Sequence, residues 1–367
     1  MLSSPLIYHH QNPWGNTCGL MLVVKAGGLD EPKQYKGYTH LAEHLVFSGT
    51  KKISREQLQE KFASIFNRIQ ATTSRKDIKL FCFFDLSDFD EVIFTLKEMF
   101  FDWQCPADCF TEEKKMLLEE SKEYWNSYER AKQNTVLSLL TLPQNDILLS
   151  PASVKKLDRQ DIRKAKKYWN YILKNCRREV VTIGKLTNKQ QQILADTFAH
   201  KDNMALKNPQ WNIAETHLDI KENIIAFWYK SSTPHLFDLL LDRIFYWRWQ
   251  GSSLPFDSDY DYMSLKDYRI FFFYDRNKLK KSREIKQIFL NPIDENEFNW
   301  AKQKLLIQFN QTFDVVNVIE SLHWFAGFAD YSPLFSANPK EAYHFFEKLE
   351  FEDFSSFLYE RRDFGCR

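Results

Sequence analysis

Residues 40–44 read His-Leu-Ala-Glu-His, and these side chains are the ones best spaced to do chemistry. On a helix, His40 and His44 stand about one turn apart on one face. Neutral imidazoles at that spacing can grip one zinc ion, and Glu43 can reach a water held by the same metal. The order is H-x-x-E-H, the inverse of the commoner zinc-protease order H-E-x-x-H. A histidine pair at helical spacing is more often a surface pair than a ligand pair, so the flanking residues carry the weight.

Those flanks run LMLVVKAGGLDEPKQYKGYTHLAEHLVFSGT from Leu20 to Thr50. An apolar strand, Leu20 to Val24, ends at Ala26-Gly27-Gly28. An acidic turn follows, with Asp30, Glu31 and Pro32. Gly37 opens a helix that carries both histidines and ends at Phe47-Ser48-Gly49-Thr50, with Gly49 as its stop. This layout resembles the pitrilysin/insulinase family of zinc metallopeptidases, in its small two-domain bacterial or mitochondrial-processing-like branch. The residues that carry the resemblance are Gly27, Asp30, Glu31, Gly37, His40, Glu43, His44, Phe47, Gly49 and Thr50.

The resemblance implies the rest of the site. A zinc catalyst needs a third protein ligand and an open fourth position. In the family that ligand is a Glu on a later helix, preceded on the same face by another Glu. Glu113 and Glu120, in the run FTEEKKMLLEE, fill those places and share one helix face. Glu120 is the expected ligand, and Glu113 the carboxylate that holds a ligand histidine or the base. Glu119 is the alternative ligand, on a face about 100 degrees away.

Other elements must hold these groups in place. Ser54-x-x-Gln57 is a capping box that opens a helix to about Phe66. Ile69 to Ser74 and Asp77 to Asp85 then read as a hairpin. In the family the first of these strands is a sheet edge beside the zinc that pairs with the substrate backbone. Gln70, Ala71, Thr72 and Thr73 are therefore the implied peptide-binding run; without the resemblance they are an ordinary polar strand. Ser87 or Asp88 can cap a helix to about Phe101, and the Glu-bearing helix starts near Thr111. Asp158-x-x-Asp161 opens a helix to Leu173, and a strand from Glu179 to Ile183 stops at Gly184 before a helix from Lys189 to Phe198.

Residues 1–200 thus read as one catalytic α+β domain, and residues 201–220, without a clear period, as a linker. Residues 221–367 read as a second α+β domain without H-x-x-E-H, with strands near 224–229, 260–265 and 268–275 and helices near 237–249, 295–313, 316–327 and 351–361. The fold class expected is two homologous α+β domains, each a mostly antiparallel sheet with helices packed on one face, together half of a clamshell. In the family the second domain is a catalytically dead copy whose Arg and Tyr hold the peptide backbone. Tyr260 fills the Tyr place, whereas Ser253 stands where the Arg is expected. The chain ends soon after its last helix, so this domain is expected to be shortened, with its last sheet strand lost or short.

Bulk properties exclude other classes. The 367 residues suffice for two domains. Fifty basic and 49 acidic side chains nearly cancel, and no basic run is interleaved with aromatics, so a nucleic-acid surface is not expected. The six Cys have no paired C-x-x-C spacing and read as reduced thiols of a cytoplasmic protein. The first residues have no charged start and no apolar h-region, and no run reaches 18 apolar residues, so neither a signal peptide nor a membrane span is expected. His9-His10 reads as an exposed pair on an extended segment.

The expected function is zinc-dependent endopeptidase activity on short or unfolded peptides, such as the trimming of a precursor or leader peptide. One Zn2+ per chain is implied, with Glu43 as general base and acid. The implied partners are a peptide substrate and a second chain, in a homodimer or a heterodimer with a homologous subunit. The alternative is a metal-binding, non-hydrolytic partner subunit of such a heteromeric peptidase. A lyase of the small H-x-x-E-H type is a poorer reading, because such enzymes are much shorter and their third ligand is not a Glu.

Overall fold

The computed structural model describes residues 7–11, 15–140, 146–200, 214–230, 236–252, 259–265, 268–275, 278–279, 281–313 and 339–359. Two compact units emerge, each a sheet with helices. The first holds β1 (Ile7–Gln11), β2 (Thr17–Val24), α1 (Tyr38–Leu45), α2 (Arg55–Ser64), β3 (Phe66–Thr73), β4 (Ile78–Asp85), α3 (Phe89–Asp102) and α4 (Ala107–Asn126). After α5 (Tyr128–Leu139) it continues with α6 (Pro151–Lys156), α7 (Arg159–Asn175), β5 (Arg178–Gly184) and α8 (Asn188–Phe198).

Its sheet runs β1-β5-β2-β4-β3, with β1 parallel to β5 and every other pair antiparallel. Alternate residues face one side of a strand. Cys18, Leu20, Leu22 and Val24 of β2 and Ile78, Leu80, Cys82 and Phe84 of β4 thus join one core with Leu41 and Leu45 of α1, Leu96 of α3 and Trp169 of α7. The helices so placed include the one bearing the histidines. At the far edge, β3 pairs with β4 alone among the described strands.

Several boundaries differ from the sequence reading. The capping box at Ser54 and Gln57 is present, but α2 stops at Ser64 and Phe66 already starts β3. Asp88 is the N-cap residue of α3, as expected, but its side chain makes no capping bond; Asp85 caps the short 3-10 turn before it, accepting from Ser87 N. Helix α4 begins at Ala107, four residues earlier than expected, with Pro106 as its N-cap residue at ψ 159. Gly49 is not at the helix stop: α1 ends at Leu45, and Gly49 sits in the following turn at φ 131. His9 lies within β1, where its Nδ1 is 2.9 Å from Thr182 Oγ1, so it is not an exposed residue.

The second unit holds β6 (Ala214–Lys221), β7 (Ile224–Lys230), α9 (Leu236–Gln250), β8 (Asp259–Leu265), β9 (Tyr268–Tyr274), α10 (Ser282–Leu290), α11 (Glu295–Phe313), α12 (Pro339–Lys348) and α13 (Phe351–Tyr359). Its antiparallel sheet runs β6-β7-β9-β8 around a core rich in Phe, including Phe227, Phe245, Phe271 and Phe289. Residues 214–221 are therefore strand rather than linker, and β6 is an edge strand among the described strands. The contiguous boundary near residue 200 also misses α5, which from Ala131 belongs to this unit through the ion pairs of Lys132 with Asp259 and Asp261 at 3.0 and 2.7 Å. In the first sheet β5 stands between β1 and β2, whereas β6 pairs directly with β7. The expected helix at 316–327 lies outside the described residues.

Candidate active site

Helix α1 is held by buried polar bonds at its start. Glu31, from the acidic turn, accepts from the backbone N–H of Gly37 at 2.6 Å and of Thr39 at 2.7 Å. It thereby satisfies two of the orphan donors of a helix N-terminus. Burial pushes the Glu31 carboxyl up to about 7, against the pull of these N–H donors. Gly37 takes φ +77, where a side chain is strained. The Tyr38 hydroxyl donates to Asp161 Oδ1 of α7 at 2.5 Å. The turn before it needs Gly27, because a Cβ there would meet the Arg75 backbone at 2.5 Å.

So fixed, α1 turns both histidines toward α4. His44 Nε2 is 3.1 Å and His40 Nε2 is 3.5 Å from Glu120 Oε2. The ligand atoms of His40, His44 and Glu120 all lie within 4.8 Å of one another. A tetrahedral centre with bonds of about 2.1 Å has ligand-to-ligand edges of about 3.4 Å, so these two separations fit one zinc-sized ion. Glu119 points away, its carboxylate 2.7 Å from Lys122 Nζ, and so does not join the cluster. Glu113 is buried and its Oε2 is 3.4 Å from His44 Nδ1. Glu43 Oε2 is 3.9 Å from His40 Nε2.

The electrostatics of this cluster favour a cation. Burial pulls His44 down, but its bonds to Glu113 and Glu120 outweigh that and lift the imidazole to about 10. The His40 and His44 rings together hold Glu120 well below the usual carboxylate range. Three carboxylates thus face two imidazoles, and the site pulls positive charge to its centre. A divalent ion there would supply that charge and displace the proton from His44.

The implied peptide-binding run joins the same site. Gln70, Ala71, Thr72 and Thr73 line an open cavity of about 530 Å³ together with His40, Glu43, His44, Glu113 and Glu120. Phe47, Met116 and Leu148 form its apolar wall. Gln70 is exposed and accepts from Arg68 Nη2 at 2.9 Å. Two links were not evident from spacing. The Thr73 hydroxyl donates to Glu43 Oε2 at 2.9 Å, and Arg55 Nη2 lies 3.2 Å from Glu113 Oε1. Tyr260 lies in the second unit, buried on β8, and gives its hydroxyl to Asp242 Oδ1 at 3.0 Å. Its hydroxyl is thus committed within that unit. Ser253 lies outside the described residues.

Comparison with known proteins places this geometry in context. The profile of the insulinase family, peptidase family M16, matches residues 6–144. The probable mitochondrial-processing peptidase subunit beta of Schizosaccharomyces pombe is 26% identical over 115 residues, which are 31% of this chain and 25% of that protein. The match thus spans about a quarter of that relative. Among solved structures, a protease from Helicobacter pylori superposes with a TM-score of 0.68 at 16% identity, over 96% of this chain and 93% of that one. The periplasmic protease PqqL of Escherichia coli gives 0.65 at 16% identity, over 97% of this chain but 45% of its own. These likenesses establish a fold shared with halves of such peptidases. Over residues 6–144, then, this chain carries an insulinase-type domain of peptidase family M16.

Proposed function

We propose that this chain is a zinc-dependent endopeptidase acting on short or unfolded peptides. The observation that carries the reading is the convergence of His40, His44 and Glu120 beside the Glu43 carboxylate and the β3 edge. Zinc, when bound, acidifies water and polarises a carbonyl. His40, His44 and Glu120 would hold it, and Glu113 would orient His44 through Nδ1. Glu43 takes the proton of the attacking water and passes it to the leaving amine. The edge at Gln70–Thr73 binds the peptide as an added strand, through main-chain hydrogen bonds that tolerate many sequences.

PqqL is about twice the length that this chain matches, and the relative from Schizosaccharomyces pombe is a subunit by name. Both facts support an assembly in which a second copy or a homologous chain closes the site against water. The second reading is a metal-binding, non-hydrolytic subunit of such an assembly. The commitment of the Tyr260 hydroxyl to Asp242 favours it. The five described cysteines are free thiols, which suits a cytoplasmic setting. No helix among the described residues is long and apolar enough to cross a membrane.

Incubation of the purified chain with a peptide library, with and without chelator, tests the proposal. Cleavage that chelator stops and zinc restores is the expected result. No cleavage by the chain alone, with cleavage once a homologous chain is added, would move it to the subunit reading. No cleavage in either case would refute hydrolysis.

A further inference from the structure

Arg55 occupies a place where a helix least favours a cation. It is the first residue of α2, at the positive end of that helix's dipole. What it meets there is acidic. Its Nη2 is 3.2 Å from Glu113 Oε1, and its Nη1 is 3.0 Å from Glu112 Oε2. The Glu112 side chain is 71% exposed, so water screens that pair and it contributes little. The Glu113 side chain is 5% exposed, so that pair is screened far less. A carboxylate this buried is costly without partners. Glu113 has two, one on each oxygen: Arg55 on Oε1 and His44 Nδ1, 3.4 Å away, on Oε2.

We propose that Arg55 is a positioning residue for the metal centre. It fixes one oxygen of Glu113, so the other stays aimed at the Nδ1–H of His44 and leaves Nε2 turned to the metal. This rests on the reading of His40, His44 and Glu120 as zinc ligands. The planar fork of arginine suits the task, because it holds a carboxylate in one orientation where an ammonium acts as a point charge. Without it Glu113 can turn about its own side-chain bonds, and His44 loses its fixed ring plane.

The test is zinc affinity, measured on the full chain by competition with a coloured chelator, with folding followed by circular dichroism. The variants are Arg55→Gln, Arg55→Lys, Glu113→Gln and the pair Arg55→Gln/Glu113→Gln. Arg55→Gln should weaken zinc about 10-fold, at the lower end of what partners of ligand histidines contribute. Arg55→Lys should recover part of that loss. The double variant should bind zinc no worse than Glu113→Gln, because Arg55 acts through Glu113. Zinc affinity of Arg55→Gln equal to wild type overturns the inference and leaves the metal site standing. Losses that add in the double variant also overturn it. A wild-type chain without zinc affinity overturns the metal reading and this inference together. Should Arg55→Gln not fold, Arg55→Lys with and without Glu113→Gln carries the same comparison.

Discussion

The Thr73 hydroxyl donates a hydrogen bond to the Glu43 carboxylate at 2.9 Å, so the edge strand and the proposed base are in direct contact. A peptide that pairs with β3 therefore docks on the strand that orients the proton acceptor. Thr73→Val keeps the shape and removes the donor. One lost hydrogen bond to a charged group is worth about 1.5–3 kcal/mol, so kcat should fall roughly 10- to 150-fold. Zinc content should stay at the wild-type level. Unchanged kcat in steady-state assays would show that this bond does not orient Glu43.

Glu43→Gln should abolish cleavage while zinc stays bound. The amide keeps the side-chain shape but cannot take a proton, and a lost general base typically lowers the rate about 10²–10⁴-fold. Single-turnover cleavage assays paired with elemental analysis check both halves. Near wild-type cleavage by the variant removes Glu43 from the mechanism.

The two neighbouring glutamates of α4 should separate cleanly. Glu120→Gln should lose most of its zinc, because its carboxylate lies 3.1 and 3.5 Å from the two ligand nitrogens. Glu119→Gln should retain it, since that side chain faces Lys122. The loss in Glu120→Gln should exceed the roughly 10–100-fold that partners of ligands contribute. Zinc-to-protein ratios after gel filtration decide, and the reverse pattern would place the ligand one residue earlier.

Gly37→Ala should destabilise the first unit. Gly37 has φ +77, and a Cβ there would lie 2.6 Å from Leu149 Cγ. The expected loss is about 1–3 kcal/mol, read from denaturant midpoints. A variant as stable as wild type would mean that the turn before α1 relaxes without strain.

Acid should weaken the fold partly through His9. Burial, with the neighbouring His10, holds this imidazole down to about 4. An unfolded histidine takes up its proton near pH 6.5, so the unfolded chain binds more protons between about pH 6.5 and about pH 4. The His9 contribution is complete above that window and is lost as pH falls through it. Wild type should therefore lose more stability than His9→Gln between neutral and mildly acidic buffer. Parallel losses in denaturant titrations would assign the acid sensitivity to other groups.

Spacing made part of this site legible. His40, Glu43 and His44 are neighbours on one helix, and Glu113 and Glu120 share the face of another, so a helical period is enough to group them. The link between Glu43 and Thr73 spans 30 positions and that between Arg55 and Glu113 spans 58. Only the packing of α2, α4 and β3 around α1 brings these pairs together, and no local pattern encodes it. The helix α10 is a different case. Ile285, Ile288 and Phe289 show the helical period, but the element is nine residues long, so few repeats of the pattern are present. Strand β6 was hidden by its position at a sheet edge: Leu218 is buried while Ile220 is 43% exposed.

The insertion of β5 between β1 and β2 sets the order in which this molecule can be built. Thr182 reaches the Tyr8 carbonyl across 174 positions of chain. Closing so long a loop is slow, and a chain made from its N-terminus must wait for the late strand. The histidines emerge early from the ribosome, but the sheet beneath their helix is complete only after Gly184 has followed. The convergence of His40, His44 and Glu120 is therefore a late event of synthesis. Chains halted before β5 should capture zinc no better than unfolded protein, and chains extended past α8 should capture it fully.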